Sequence, residues 1–167
     1  LHLDGWVTLK KEPPDNMIPT LANGTLGTLS QYLKDFPNLP ALRAPTRLLE
    51  PPRLDFGGRF AGGGIADIVP PRVGKPFPVL VPLPDGDGLD KGGIRLPEVS
   101  VPLGTYTGWN PQNAATGAPY RLARYDGSFV PFERNEPDRA AGGDPRPSIR
   151  ERYPTKGAYT KAYAAAT

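Results

Sequence analysis

In 167 residues, the length of one ordinary domain, proline fills 23 positions and glycine 20, and the net charge is only +3. So much proline and glycine excludes long helices and wide sheets, because proline removes backbone donors and glycine raises the entropy lost on ordering. The absence of cysteine excludes disulfides, thiol catalysis and thiolate metal sites, and a lone histidine, His2, excludes a clustered-histidine metal centre.

The first predicted element is a helix within residues 1–12, "LHLDGWVTLKKE", with Leu3, Trp6 and Val7 on one face and Pro13 and Pro14 as its stop. It reads as the end of an amphipathic helix that starts upstream of Leu1. The sequence opens on leucine rather than methionine and reads as a processed product, a fragment or an incomplete chain. Residues 13–53 read as a long irregular crossing with eight prolines, of the kind that wraps another surface. Only "LSQYLKDF" has helical character there, with Ser30 as the expected cap.

Residues 54–108 read as short β-structure. The strand candidates are "LDFGGRF", "GIADIV", "FPVLVPL", "IRLPEVSVP" and "GTYTGW", each bounded by glycine or proline. "PDGDGLDKGG" reads as a hairpin connection between two of them. Residues 109–167 read as loop followed by short helices. Asp126–Gly127 signals a turn. Ser148 stands three residues before Glu151, the spacing of a capping box. A last helix is predicted over Ala158–Ala166.

The chemistry-bearing residues are few. His2 has no nucleophile and acid in sequence register, and no G-x-S-x-G elbow occurs anywhere. "DGDGLD" places acids at Asp85, Asp87 and Asp90, but without the distal glutamate of a calcium loop it reads as a turn. "GGRFAGGG" lacks the G-K-[ST] ending of a phosphate loop and reads as backbone that permits bulges. Tyr106, Trp109, Tyr120 and Tyr125 concentrate aromatic surface, either as a ligand pocket or as packing anchors, with packing the favoured reading. No catalytic, metal or cofactor-binding residue emerges, and no cofactor is expected. Basic residues are scattered among acids, so no nucleic-acid partner is expected. No apolar run reaches the ~20 residues of a membrane-spanning helix.

The segment from Pro70 to Gln112, "PPRVGKPFPVLVPLPDGDGLDKGGIRLPEVSVPLGTYTGWNPQ", resembles the C-terminal portion of the bacterial "alpha/beta hydrolase domain" proteins. "IPTLANGTL", "DGSFVPF" and "GDPRPSIRERY" carry the same resemblance, and "LDGWV" is similar to the closing helix of the hydrolase body. The resemblance implies that the serine elbow and catalytic histidine lie upstream, that His2 inherits no catalytic role, and that any ester or amide hydrolysis belongs to the body. It also favours a periplasmic or secreted location.

The expected fold is therefore a mostly irregular Pro/Gly-rich chain with short strands, hairpins and a few short helices, an accessory C-terminal segment of an α/β-hydrolase-like fold. Ordering each residue costs roughly 1–2 kcal/mol of backbone entropy, and a chain so interrupted buries little of itself. The missing burial is expected from another polypeptide: a hydrolase body, or alternatively the subunits of an unrelated complex clamped by an extended chain. A stand-alone binding module built on the aromatic group is the third reading. The residues expected at the interface are Trp6, Phe77, Leu80, Ile94, Leu96, Tyr106 and Trp109.

Overall fold

A computed structural model describes residues 2–40 and 42–167. Leu1, Ala41 and the side chain of His2 lie outside the described residues, and so does the part expected of Leu1 and His2. The first helix, α1, runs His2–Leu9 and ends before the two prolines. Lys10 takes a positive φ of 56°, and the Lys11 N–H reaches back to the Gly5 carbonyl at 3.2 Å. A left-handed residue ends a helix by turning the chain off its axis, so the stop comes earlier than proline alone predicts. Leu3, Trp6, Val7 and Leu9 are all exposed, and the apolar side of α1 is left uncovered.

The strands are short: β1 (Leu26–Gly27), β2 (Pro52–Asp55), β3 (Arg72–Pro76), β4 (Val81–Pro82), β5 (Gly104–Thr107) and β6 (Ser128–Pro131). They pair antiparallel as β1–β4, β2–β3 and β5–β6, three separate two-stranded sheets. Among the described residues no parallel pair occurs. The helices after α1 are α2 (Leu29–Asp35), α3 (Phe60–Gly63), α4 (Pro97–Ser100), α5 (Glu136–Gly142), α6 (Ile149–Arg152) and α7 (Lys156–Ala165).

Several local expectations are corrected. Thr28, not Ser30, caps α2: its side-chain oxygen accepts from the Gln31 N–H at 3.3 Å, and the Gln31 side chain accepts from the Thr28 N–H at 2.8 Å. Reciprocal bonding of two orphan donors outweighs a lone serine two residues later. "GIADIV" forms no strand, and of "LDFGGRF" only Leu54 and Asp55 lie in a strand, while Phe60 opens the single turn α3. "IRLPEVSVP" becomes α4, because Pro97 sits comfortably in a first helical turn and cannot donate to a ladder. "RVGKP" and "SFVP" are strands, although the sequence reading passed over both. α5, also unexpected, is capped by Asn135, whose side chain accepts from the Asp138 N–H at 3.0 Å. The predicted capping box at Ser148 and Glu151 and the last helix are both present.

The apolar core is small. Tyr32, Phe36, Leu39 and Leu83 are buried together, with Trp109 and Val130 packed against them. Tyr32 stacks on Phe36 with centroids 5.4 Å apart, and Trp109 meets Phe36 at 5.5 Å and Tyr32 edge-on at 6.5 Å. Among the described residues seven hydrophobic side chains are buried and twenty-two large ones are exposed. Every residue of β2 and β3 is exposed, so that ribbon stands as an arm held together by its own ladder. The chain exposes 12024 Å², against about 8,000 Å² for a compact monomer of this mass by size scaling. No described helix is long and apolar enough to cross a membrane.

Candidate functional site

The tightest part of the molecule is polar, and it comes from "GDPRPS". Arg146 and Asp144 are closed to solvent and form an ion pair at 2.5 Å. Arg146 Nη1 also donates to the Thr105 hydroxyl at 2.7 Å and to the Val130 carbonyl at 3.0 Å, and Nη2 donates to the Pro131 carbonyl at 3.2 Å. One guanidinium thus ties both strands of the β5–β6 ribbon to the turn before α6. A buried arginine is tolerable only when its donors are met this way. Burial pushes the Asp144 carboxyl up, but the Arg146 side chain, its backbone N–H and its charge pull it further down, and the net shift is below the usual carboxylate range.

The acidic turn is docked on this knot. Asp85 Oδ1 accepts from the backbone N–H groups of Asp87 and Leu89, each at 3.0 Å, and Asp85 Oδ2 accepts from Arg95 at 2.7 Å. The Thr105 hydroxyl donates to the Asp87 carbonyl, and Arg152 grips the Asp87 carboxylate with both Nη atoms. Pro84 and Asp90 face each other across the turn as an antiparallel bridge. A turn does form over "DGDGLD", but "PDGDGLDKGG" does not connect two strands as expected, because "IRLPEVSVP" after it is α4. Two of its acids serve arginines, and no acid cluster suited to a metal occurs among the described residues. Phe132 lies between Arg146 and Arg152, whose guanidinium carbons stand 4.9 and 4.1 Å from the ring centroid.

Beside the apolar core a cavity of about 290 Å³ opens between α2, β4, the acidic turn and the end of β5. Tyr32, Tyr106, Trp109 and Val81 supply its walls, with Asp90 and Arg47 as its charged groups. Trp109 Nε1 donates to the Tyr32 hydroxyl at 3.1 Å. Burial pushes the Tyr32 phenol up to about 12, although that hydrogen bond pulls the other way.

The aromatic concentration seen in sequence does not assemble as one group. Tyr106 packs at a tilt on Phe129 across the β5–β6 pair with centroids 4.8 Å apart, Trp109 joins the core, Tyr120 lies under Arg47 at 3.5 Å, and Tyr125 is exposed. Of the other residues expected at an interface, Trp6, Phe77, Ile94 and Leu96 are exposed and Leu80 is half-buried. Trp109, half-buried, and Tyr106, exposed, share the cavity wall. The sequence reading missed Arg146 and Tyr32. "PRPS" gave no sign of burial, and the partner of Tyr32 lies 77 residues away.

Three of the four serines are committed to structure, and Ser30 is exposed in α2. Ser148 is buried and caps α6, Ser128 donates to the Trp109 carbonyl at 3.1 Å, and Ser100 donates to the Arg95 carbonyl at 3.2 Å. The family model described as "Alpha/beta hydrolase domain" matches residues 1–167, the whole chain.

The chain belongs to that family. No curated protein and no solved structure matches it. Membership in the alpha/beta hydrolase domain family agrees with the resemblance drawn from "GGIRLPEVSVPLGTYTGWNPQ" and "GDPRPSIRERY". Those two blocks are the ones that build the β5 edge of the cavity and the Arg146 knot. In an α/β-hydrolase, acyl transfer needs a nucleophile raised on a strand–turn–helix elbow and a histidine base beside it. Neither the G-x-S-x-G motif nor a histidine beyond His2 is in this sequence.

Proposed function

We propose that this chain is a non-catalytic C-terminal segment or subunit of an α/β-hydrolase-like protein of the esterase or amidase type. In this reading it wraps and stabilises a body that carries the reaction centre. The observation that carries the proposal is the uncovered apolar surface. The excess over a compact monomer is about 4,000 Å² of total surface, more than the roughly 1,000–2,500 Å² that each side of an obligate interface buries. The exposed apolar residues lie on α1, on the β2–β3 arm and at Ile94 and Leu96, which are far apart in sequence. A surface spread in this way suits a wrapping contact better than a single flat patch.

The test is crosslinking with mass spectrometry on protein purified natively. Lys10 and Lys11 follow α1, and Lys75 lies in β3. The expected result is crosslinks from these lysines to a body that carries a G-x-S-x-G segment, in the same polypeptide or in a companion. Crosslinks to unrelated subunits would support the clamp reading instead. A monomer that melts cooperatively without any such body would overturn the proposal.

A further inference from the structure

We propose that the cavity bounded by Tyr32, Tyr106, Trp109 and Asp90 binds a small organic cation, of the alkylammonium class. This goes beyond the wrapping role and holds whether or not that role is correct, because the walls of the cavity come from this chain alone.

Two observations converge on a cation. First, Trp109, Tyr106 and Tyr32 line the space among aliphatic residues such as Leu29, Val81 and Leu122, and aromatic faces attract ammonium groups through their negative quadrupole. Second, the carboxylate of Asp90 enters no ion pair and accepts no hydrogen bond among the described residues, whereas its neighbours Asp85 and Asp87 are each matched to an arginine. Arg47, the other charged group on the cavity wall, keeps its charge and lies over the Tyr120 ring outside the lining, so the proposed cation belongs at the Asp90 end of the cavity.

Asp90 is exposed at the rim, yet the wall behind it withholds enough water to push its pKa up. Burial is the main cause, the Arg95 charge opposes it and the Asp85 charge adds to it. An ammonium group beside that carboxylate supplies the counter-charge it lacks. The size is compatible too: about 290 Å³ lies at the lower end of the roughly 300–1,000 Å³ range of small-molecule sites. A quaternary or tertiary ammonium with a short apolar tail fits this chemistry.

The experiment is calorimetric titration of the natively purified protein with choline and with 3,3-dimethyl-1-butanol, which has the same shape without the charge. Choline is expected to bind at least tenfold more tightly than the alcohol. Asp90→Asn is expected to remove about tenfold of the choline affinity and to leave the alcohol unchanged. Equal binding of the two compounds would show an apolar slot and overturn the proposal. So would no choline binding, or full choline affinity in Asp90→Asn. The comparison of the two compounds on the parent protein decides the matter even where the variant folds poorly.

Discussion

Arg146 donates to the hydroxyl of Thr105 at 2.7 Å across 41 residues of sequence, with both side chains closed to solvent. Thr105 passes the link on by donating to the Asp87 carbonyl. The acidic turn, the β5–β6 ribbon and the approach to α6 are therefore one hydrogen-bonded unit. Removing the guanidinium strands Asp144 as a buried unpaired charge. Arg146→Ala is expected to cost about 3–5 kcal/mol, as breaking one side of a buried pair does. Arg146→Lys is expected to recover less than half of that, because a point charge cannot span Asp144, Thr105 and two carbonyls together. Urea denaturation of the native assembly measures both.

Acid should loosen the same region from the other side. Glu151 accepts from Ser148 and is clamped by Arg139 at 3.0 and 3.2 Å, and its pKa is lowered to about 2, with the Ser148 bonds the main cause and Arg139 adding to them. A carboxyl whose folded pKa lies below its unfolded value contributes stability above about pH 4.3, and that contribution fades as the pH falls toward about 2. Asp144, also lowered, acts in the same direction. The melting temperature is expected to drop between about pH 5 and pH 2, and Glu151→Gln is expected to flatten part of that drop.

Two glycines mark where backbone meets backbone. A Cβ on Gly104 would stand 2.6 Å from both the Phe129 ring and the Val130 carbonyl, and one on Gly127 would overlap the Thr107 carbonyl. The contacts are with main chain or a packed ring, so neither can yield cheaply. Gly104→Ala and Gly127→Ala are each expected to destabilise by about 1–3 kcal/mol. Gly58→Ala, with nothing within 4 Å, should change stability by less than about 0.5 kcal/mol. Chemical denaturation of the three variants checks the contrast.

Where a signal was local and chemical, it was readable. The Ser148–Glu151 box, the acidic turn and the last helix each depend on residues within a few positions of one another. The strand readings failed where apolar content stood in for pairing. "GIADIV" is apolar but has no partner, whereas "RVGKP" is basic and exposed yet pairs with β2. What decides a two-stranded ribbon is the complementary edge, and that edge lies elsewhere in the chain. The cavity was unreadable for the same reason: Tyr32 and Trp109 meet across 77 residues, and Asp85 holds an arginine and two backbone N–H groups where Asp90 holds none. The proline and glycine load, by contrast, did foretell how little the chain would bury.

The Tyr32–Trp109 contact should show itself at high pH. The Trp109 Nε1 bond to the Tyr32 hydroxyl is 3.1 Å long, and burial holds the phenol at about 12 against a usual value of 10.0. For an acid whose folded pKa is raised, the contribution is whole below the unfolded value and is lost as the pH climbs through the folded one. Stability should therefore fall between about pH 10 and pH 12, and Tyr32→Phe should remove that part of the fall. The other raised phenols, Tyr153 and Tyr163, remain in both proteins, so the difference between them isolates Tyr32. Trp109→Phe keeps the ring and loses the donor, which costs about 1 kcal/mol and moves Tyr32 still higher, since the bond had been pulling it down. Trp109→Ala loses the packing on Phe36 as well and should cost about 3–5 kcal/mol. In a double-mutant cycle of Tyr32→Phe with Trp109→Phe, a coupling near zero would mean that the hydrogen bond contributes nothing and that only ring packing holds this side of the cavity.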